Sequence, residues 1–551
     1  MDNQDIKQRY DALRSQRQTL DAEWDTIERF IMPLHGGKFF QEQASEHEMD
    51  WRRREVFDST AMLAAQTLAA SLHGSMTSPI SKWFELRFRE AELNDDNESA
   101  QWLSDVGESI YQALQDSNFN LKINEVYLDL VGFGTSVIVE EEKTKNGEYD
   151  GLQFDAVPVR EIYFEDDTEG NILRLYRRLQ WTPLQIMDFF KDKVPDLVRE
   201  KAASPSSLDT RMDVIYCIWE KKKADKPITK ALAPARRPIG YKYILHQTAE
   251  TLGKEGGYYE MPAFIPRYRL TSGSKYGYSP SFTALPHCLT LQEIIEQMLV
   301  HDGKIIDPPI FANQRDIIGD LDLGRGGMNV VRDINGVKEF LSNQDLQATQ
   351  VTVNDLRREI REMFHVDQLE LKDSPAMTAT ETSIRYELMQ RLLGPTLGRL
   401  KTDLLDRIVA RTFNILLRAG QLPAMPEAVA QSSAELDVEY LGPLPRAQRQ
   451  DDAGRLERFA QGVGNLAAVN PRVLRVVKWD DLVKEHADLL GIPPKLLMSA
   501  AELAQMDKAE AAQRQMAEQM EQANQVAEVA EKGSRAVVNI KDAQNSDVEA
   551  A

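Results

Sequence analysis

Only two cysteines, Cys217 and Cys288, occur in 551 residues. They are too few for a disulfide framework or a zinc site of their own. Both sit among apolar neighbours, the usual setting of a cysteine that acts as a small buried hydrophobe. No run of 18 apolar residues exists, so no membrane-spanning helix is expected. The opening MDNQDIKQRYDALRSQRQTLD is polar and charged where a secretory signal would be apolar, so a cytosolic birthplace is expected. Positive charge is also short: 66 Lys and Arg face 87 Asp and Glu, a net charge of −21. An overall acidic chain is not built to grip a phosphate backbone, which argues against a sequence reader. It leaves room for a protein that DNA slides past. The eight histidines show no metal-ligand spacing and no HExxH, and neither a P-loop nor a GxSxG elbow is present. The acidic pairs Asp95–Asp96, Asp166–Asp167 and Asp480–Asp481 read as turn and cap residues. No enzyme activity, cofactor or metal is therefore expected.

What is present is organised around one long stretch, Thr378 to Leu417. Apolar residues recur at Ile384, Leu388, Leu392, Leu397, Leu400, Leu404, Ile408, Phe413 and Leu416, the stripe of an amphipathic helix. Thr378 and Glu381 make a capping box at its start. Gly420 and Pro423 mark its end. Some 40 helical residues span roughly 60 Å, more than one compact core holds. Gly394–Pro395 at mid-length removes a backbone donor and crowds the preceding turn, predicting a kink.

The first 270 residues read as mixed α and β. Helices are expected over Ile6–Met32, Phe57–Leu72 (capped by Asp58 or Ser59), Ser99–Gln115, Leu121–Val131 and Thr182–Lys193. Strands are expected over Trp83–Phe88, Ser136–Val139, 151–181 in pieces, Met212–Trp219, Tyr241–Leu245 and Phe264–Tyr268. Gly132-Phe133-Gly134 lies between a helix and a strand, the reverse of a phosphate loop, and reads as a turn. Arg52, Arg53 and Arg54 fit a solvated helix start or an intersubunit salt bridge better than a nucleic-acid site. A basic, proline-containing loop spans 220–237. Ser279–Pro280 reads as an N-cap with proline at the first helical position, with the main run of that helix starting at Pro286. A turn-rich β stretch, Asp307–Leu341, follows, with a hairpin turn at Asn335–Gly336. Then come a helix over Val353–Phe364 and a loop, Leu369 to Met377, into the long helix. Beyond Pro426 a strand, Glu435–Tyr440, precedes a helical block at Gln448–Val463, Val473–Val477 and Trp479–Leu490. The last 51 residues have few large apolars and read as exposed helix or disordered chain.

Four segments in fixed order carry a resemblance. They are FDSTAMLAAQTLAASLHGSMTSPISKWFEL, YGYSPSFTALPHCLTLQEIIEQMLVHDGKIIDPPIFA, MTATETSIRYELMQRLLGPTLGRL with LLDRIVARTFNILLRAGQLP, and VEYLGPLPRAQRQ. Together they resemble the head-to-tail connector, or portal, family of short-tailed bacteriophages. The resemblance implies an α+β, helix-rich, multi-domain, ring-forming portal fold. Its expected parts are an N-terminal α+β wing (1–275), a first stem helix (276–304), a clip (305–345) and a second stem helix (346–368). A channel loop (369–377), the long kinked helix returning to the wing (378–445), a helical crown (446–500) and a C-terminal tail (501–551) complete it. It further implies a homo-oligomeric ring of twelve at one vertex of the virion capsid, made in the host cytoplasm, with double-stranded DNA passing through. The expected partners are a terminase, tail adaptor proteins, and capsid and scaffolding proteins. The channel loop is Leu369, Glu370, Leu371, Lys372, Asp373, Ser374, Pro375, Ala376 and Met377. Its one cation, Lys372, either pairs with Glu370 or Asp373 or touches passing phosphates. In the clip, Arg315, Arg325, Arg332 and Lys338 are expected to meet the motor and the tail. The alternative is a cytosolic helical scaffold or adaptor without a DNA channel.

Overall fold

The structure, a computed structural model, describes residues 1–33; 56–306 except 81, 91, 92, 95, 146, 147, 168, 169, 192 and 222–231; 310–312; 337–339; 346–369; 393–431; 436–440; 443–469; 471–490; and a few positions between 498 and 516. The chain divides into two compact units. One comprises Met1–Glu85, Val106–Pro423 and Val438–Ala447; the other comprises Leu86–Asp105, Ala424–Asp437 and Gln448–Ala551.

The first unit is built on an antiparallel meander, in the order β4 (Ile162–Asp166), β5 (Ile172–Trp181), β6 (Met212–Glu220), β7 (Ile239–Leu245) and β8 (Thr251–Tyr258). Central strand β6, MDVIYCIWE, is apolar almost throughout because both of its faces are covered. With a side-chain period of two, Ile215, Cys217 and Trp219 face helix α1 (Asn3–Phe30), meeting Ile6, Tyr10 and Leu13. Tyr216 and Ile218 face the opposite way and join Val137, Val157, Ala263 and Ile265. Those last residues surround a three-stranded sheet in the order β3 (Glu148–Ala156), β2 (Ile138–Lys145), β9 (Ala263–Phe264). Cys217 is buried as expected, and burial pushes its thiol up to about 12. Helices α5 (Pro183–Phe190) and α6 (Asp196–Ala203) close one end, α5 started by a capping box between Thr182 and Gln185.

Helix α1 is locked as well as packed. Arg17 is 3% exposed. Its guanidinium donates to the carbonyls of Val159, Arg160 and Ile162, pairs with Asp21 at 2.7 Å, and lies 3.7 Å from the centroid of the Tyr163 ring. Five donors in a rigid fork suit a buried turn rich in carbonyls. Helices α2 (Thr60–Met76), α4 (Phe119–Phe133), α7 (Pro280–Ile306) and α8 (Leu346–Met363) pack beside this core. Alanines 61, 64, 65 and 69 of α2 are buried, which allows close helix approach.

In the second unit Phe88, from β1 (Phe84–Phe88), stacks on Trp102 of α3 (Asn97–Asp116), with ring centroids 6.3 Å apart and planes 7° from parallel. The Asp96 carboxylate accepts from the Ser99 amide and hydroxyl, a cap as the sequence implied. Helices Pro443–Val469 and Trp479–Leu490 follow; the stretch read as a helix at Val473–Val477 is a 3₁₀ turn, Pro471–Arg475.

Other sequence expectations also shift. Strand β8 was not foreseen, because TLGKEGGY carries three glycines and little apolar alternation. The strand expected over Phe264–Tyr268 shrinks to Ala263–Phe264, since Pro266 cannot donate to a ladder. Ser279 caps nothing with its side chain; its hydroxyl donates to the Gly132 carbonyl instead. Helix α7 runs unbroken from Pro280, with Pro286 inside it rather than at its start, and continues past Gly303.

Candidate functional site

The root of α7 is a crossing of two glycine-containing chains. Gly134, with φ +73°, ends α4 in the left-handed conformation that L-residues avoid. Gly277 lies directly against it: a Cβ on Gly277 would fall 2.2 Å from the Gly134 carbonyl oxygen. This close approach lets the Tyr268 amide donate to Gly134 O, the Gly277 amide to Thr135 Oγ1, and the Tyr278 amide to Arg269 O, each at 2.8 Å. Ser279 and Ser281 donate to the carbonyls of Gly132 and Val131. The GFG turn and the YGYSP motif are therefore two halves of one joint.

From that joint α7 runs beside α8. His287 of α7 lies 3.4 Å from Glu359 of α8, while Gln292 and Arg357 converge on one residue, Asp58. Positions rise along α7 as they fall along α8, so the pair is antiparallel. Gln292 Oε1 accepts from the amides of Phe57 and Asp58 at 2.7 and 2.9 Å, and its Nε2 donates to Asp58 O at 2.7 Å. Asp58 Oδ1 accepts from the Thr60 amide, and Arg357 donates to Oδ2 through Nε and Nη2 at 2.9 and 2.8 Å. Burial would raise the Asp58 carboxyl. The Thr60 and Arg357 hydrogen bonds outweigh it and hold the group below the usual carboxylate range. Asp58 was read as a cap; its tie to Gln292 and Arg357, more than 230 residues away, left no local signal. Away from this node the pair exposes Leu299, Val300 and Val351, each more than half accessible.

The chain between α7 and α8 returns as a short antiparallel pair, β10 (Ile310–Ala312) with β11 (Val337–Glu339). Lys338 stands opposite Phe311. Arg315, Arg325 and Arg332 lie outside the described residues, as do Asn335–Gly336 and Arg52–Arg54. Helix α8 ends at Met363; His365, with a φ of +57°, turns the chain, and a short helix, Val366–Leu369, follows. Leu369 is thus placed, whereas Glu370, Leu371, Lys372, Asp373, Ser374, Pro375, Ala376 and Met377, with Thr378 and Glu381, lie outside the described residues.

The long helix is described from 393 onward, so Gly394 and Pro395 fall in its first described turn and the path before them is not described. Its ladder changes at Lys401–Leu405, a π-helical turn, and continues as the helix Asp406–Ala419, designated α10 with Val366–Leu369 as α9. Gly420, φ +66°, ends it as expected. Helix α10 is fixed by charge. Arg411 Nε donates to Glu140 O and Nη1 to Glu260 O, while Arg418 donates to both Glu260 carboxylate oxygens at 2.6 and 3.0 Å. Glu140 accepts from Thr412 Oγ1 at 2.8 Å and is fully buried; burial outweighs Arg411 and raises its carboxyl to about 7.

Comparison with known proteins decides what this arrangement belongs to. The family described as bacteriophage head to tail connecting protein matches residues 3–497. The chain belongs to this head-to-tail connector family. It is similar to a protein of Bordetella phage BPP-1 named "Probable portal protein", 29% identical over 92% of this chain and 91% of that one. It is also similar to the "Portal protein" of Salmonella phage epsilon15, 23% identical over 91% and 90%. A solved chain from "Neck of empty GTA particle computed with C6 symmetry" overlays 73% of this chain and 88% of that one, at 10% identity and a TM-score of 0.35, too loose for any inference. A connector is a structural component of the phage particle, not an enzyme, and no described helix is long and apolar enough to cross a membrane.

Proposed function

We propose that this connector protein assembles as a closed ring, twelve copies by the family resemblance, at one capsid vertex and forms the channel through which double-stranded DNA is packaged and ejected. The observation that carries the reading is the antiparallel pair α7–α8, rooted in the core by the glycine joint and the Asp58 node and tipped by β10–β11. Among the described residues Leu299, Val300 and Val351 of this pair stay exposed, as expected of a surface that neighbours share. The pair then serves as the stem and β10–β11 as the base of the clip, with Lys338, Arg315, Arg325 and Arg332 presented to the terminase and later to tail adaptors. The loop Leu369 to Met377 would narrow the bore. The net charge of −21 per copy keeps the ring from becoming a deep electrostatic well for DNA. ATP hydrolysis belongs, in this reading, to the motor.

Native mass spectrometry and negative-stain imaging of the full chain test it. A closed ring with a central hole is expected. Monomer or dimer alone at micromolar concentration overturns it. Deleting Gln314–Lys338 should spare the wing, weaken the ring and abolish motor docking; a deletion variant that packages DNA normally would remove the clip assignment.

A further inference from the structure

The contact between α10 and strand β2 contains a carboxylate in a setting that does not suit its charge. Glu140 has no exposed surface, and only its Oε1 receives a hydrogen bond, from Thr412. Its Oε2 is buried with no hydrogen-bond donor among the described residues. The nearest cation, Arg411, approaches that oxygen only to 3.9 Å, because its donors go to the carbonyls of Glu140 and Glu260. The other guanidinium of α10, Arg418, is engaged on both oxygens of Glu260. Strand β8 brings Tyr258, whose hydroxyl donates to Glu141 rather than to Glu140, and whose ring lies 5.8 Å from the Arg411 guanidinium. Glu140 thus faces two cations committed elsewhere, one further carboxylate and no second donor.

We propose that Glu140 is a proton-controlled latch that seats α10 on the β2–β9 sheet when neutral and loosens it when ionised. Neutral Glu140 keeps the Thr412 contact and sheds the cost of a buried charge with a single hydrogen bond. Ionised, it must either bear that cost or part from the helix to reach water. The folded-state carboxyl is raised from its ordinary 4.5 to about 7. The stabilisation is therefore fully present below about pH 4.5 and is lost as pH rises through about 7. Between pH 6 and 8 these two values give an increase of about tenfold in the opening equilibrium of α10. The latch rests on contacts within one chain and stands whether or not copies close into a ring.

Hydrogen exchange of the full-length protein tests it, read on peptides within Asp406–Ala419 and normalised to intrinsic rates. The wild type should open about tenfold more at pH 8 than at pH 6, and Glu140→Gln should show no such change. Thr412→Val removes the one donor to the carboxylate, so its midpoint should lie above that of the wild type. A pH-independent wild type overturns the proposal. So does an equal change in Glu140→Gln, or a Thr412→Val midpoint at or below the wild-type value.

Discussion

Replacing Gly277 by Ala tests the joint on which α7 stands. The added Cβ would meet Gly134 O at 2.2 Å, where ordinary contact begins at 3.4 Å, and that neighbour is backbone, which cannot swing aside. The two chains must part by about 1 Å, more than the hydrogen bonds across the joint can stretch. At least two of them, Tyr268 N to Gly134 O and Gly277 N to Thr135 Oγ1, are forfeited. At about 1–2 kcal/mol for each group left buried and unpaired, the loss comes to about 2–4 kcal/mol. Gly303→Ala is the matched control. It lies inside α7 with no atom within 4 Å of the new methyl, and should stabilise by about 0.5–1 kcal/mol through helix propensity. Urea unfolding followed by tryptophan emission reads both, and Trp24, which donates to Phe133 O beside the joint, reports locally. Gly277→Ala within about 0.5 kcal/mol of the wild type would refute the close-approach argument, since that is the range of an uneventful surface change.

Asp58→Ala should cost about 1–3 kcal/mol, lowered by the half-exposure of Arg357, and calorimetry would show it. Because the Asp58 carboxyl is held below its ordinary value, its contribution is present above about pH 4 and lost as pH falls through the lowered folded value; Asp58→Asn should flatten that limb of the stability curve. Cys217 and Cys288, each pushed up to about 12 by burial, should resist a thiol reagent at pH 8 in the native protein and react once it is unfolded. Lys372→Ala should leave rings intact but make DNA packaging salt-sensitive if the side chain meets phosphate, whereas a loss of ring stability with normal packaging would assign it to Glu370 or Asp373.

The elements legible in the sequence were those whose signal is local. The helices α1, α5 and Trp479–Leu490 and the strand β6 all follow from signals within one segment. What escaped was set by distant partners. Ser279 has the chemistry of a cap, yet the nearby Gly132 carbonyl wins its hydroxyl. Strand β8 forms despite its glycines because β7 offers a ladder, and Gly256 and Gly257 leave room for Tyr241 and the Pro234 carbonyl. Gly132–Gly134, read as a turn, is the helical end of α4 with Gly134 in the left-handed conformation, and the approach of Gly277 that shapes it lies more than 140 residues along the chain. Glu140 sits in an acidic run, Glu140–Glu142, in which its neighbours are exposed; only the docking of Thr412 and Arg411 singles it out.

Helices α1, α7 and α10 of the first unit are each held by polar groups that accept one register only. Arg17 fixes α1 through the carbonyls of Val159, Arg160 and Ile162, the Gly134–Gly277 crossing fixes α7, and Arg411, Thr412 and Arg418 fix α10. An apolar stripe alone would not do this, because burial is non-directional and a helix slipped by one turn still buries much the same surface. A buried guanidinium displaced by the same 5.4 Å would lose every acceptor and keep its charge. In a protein whose helices bear on neighbours and on passing DNA, as proposed, load along a helix would meet these directional contacts first. It would then pass into the sheet as motion of the whole unit before any helix slides. In the α10 anchor the Glu140 Oε2, buried without a hydrogen-bond donor among the described residues, stands where a second bond would be.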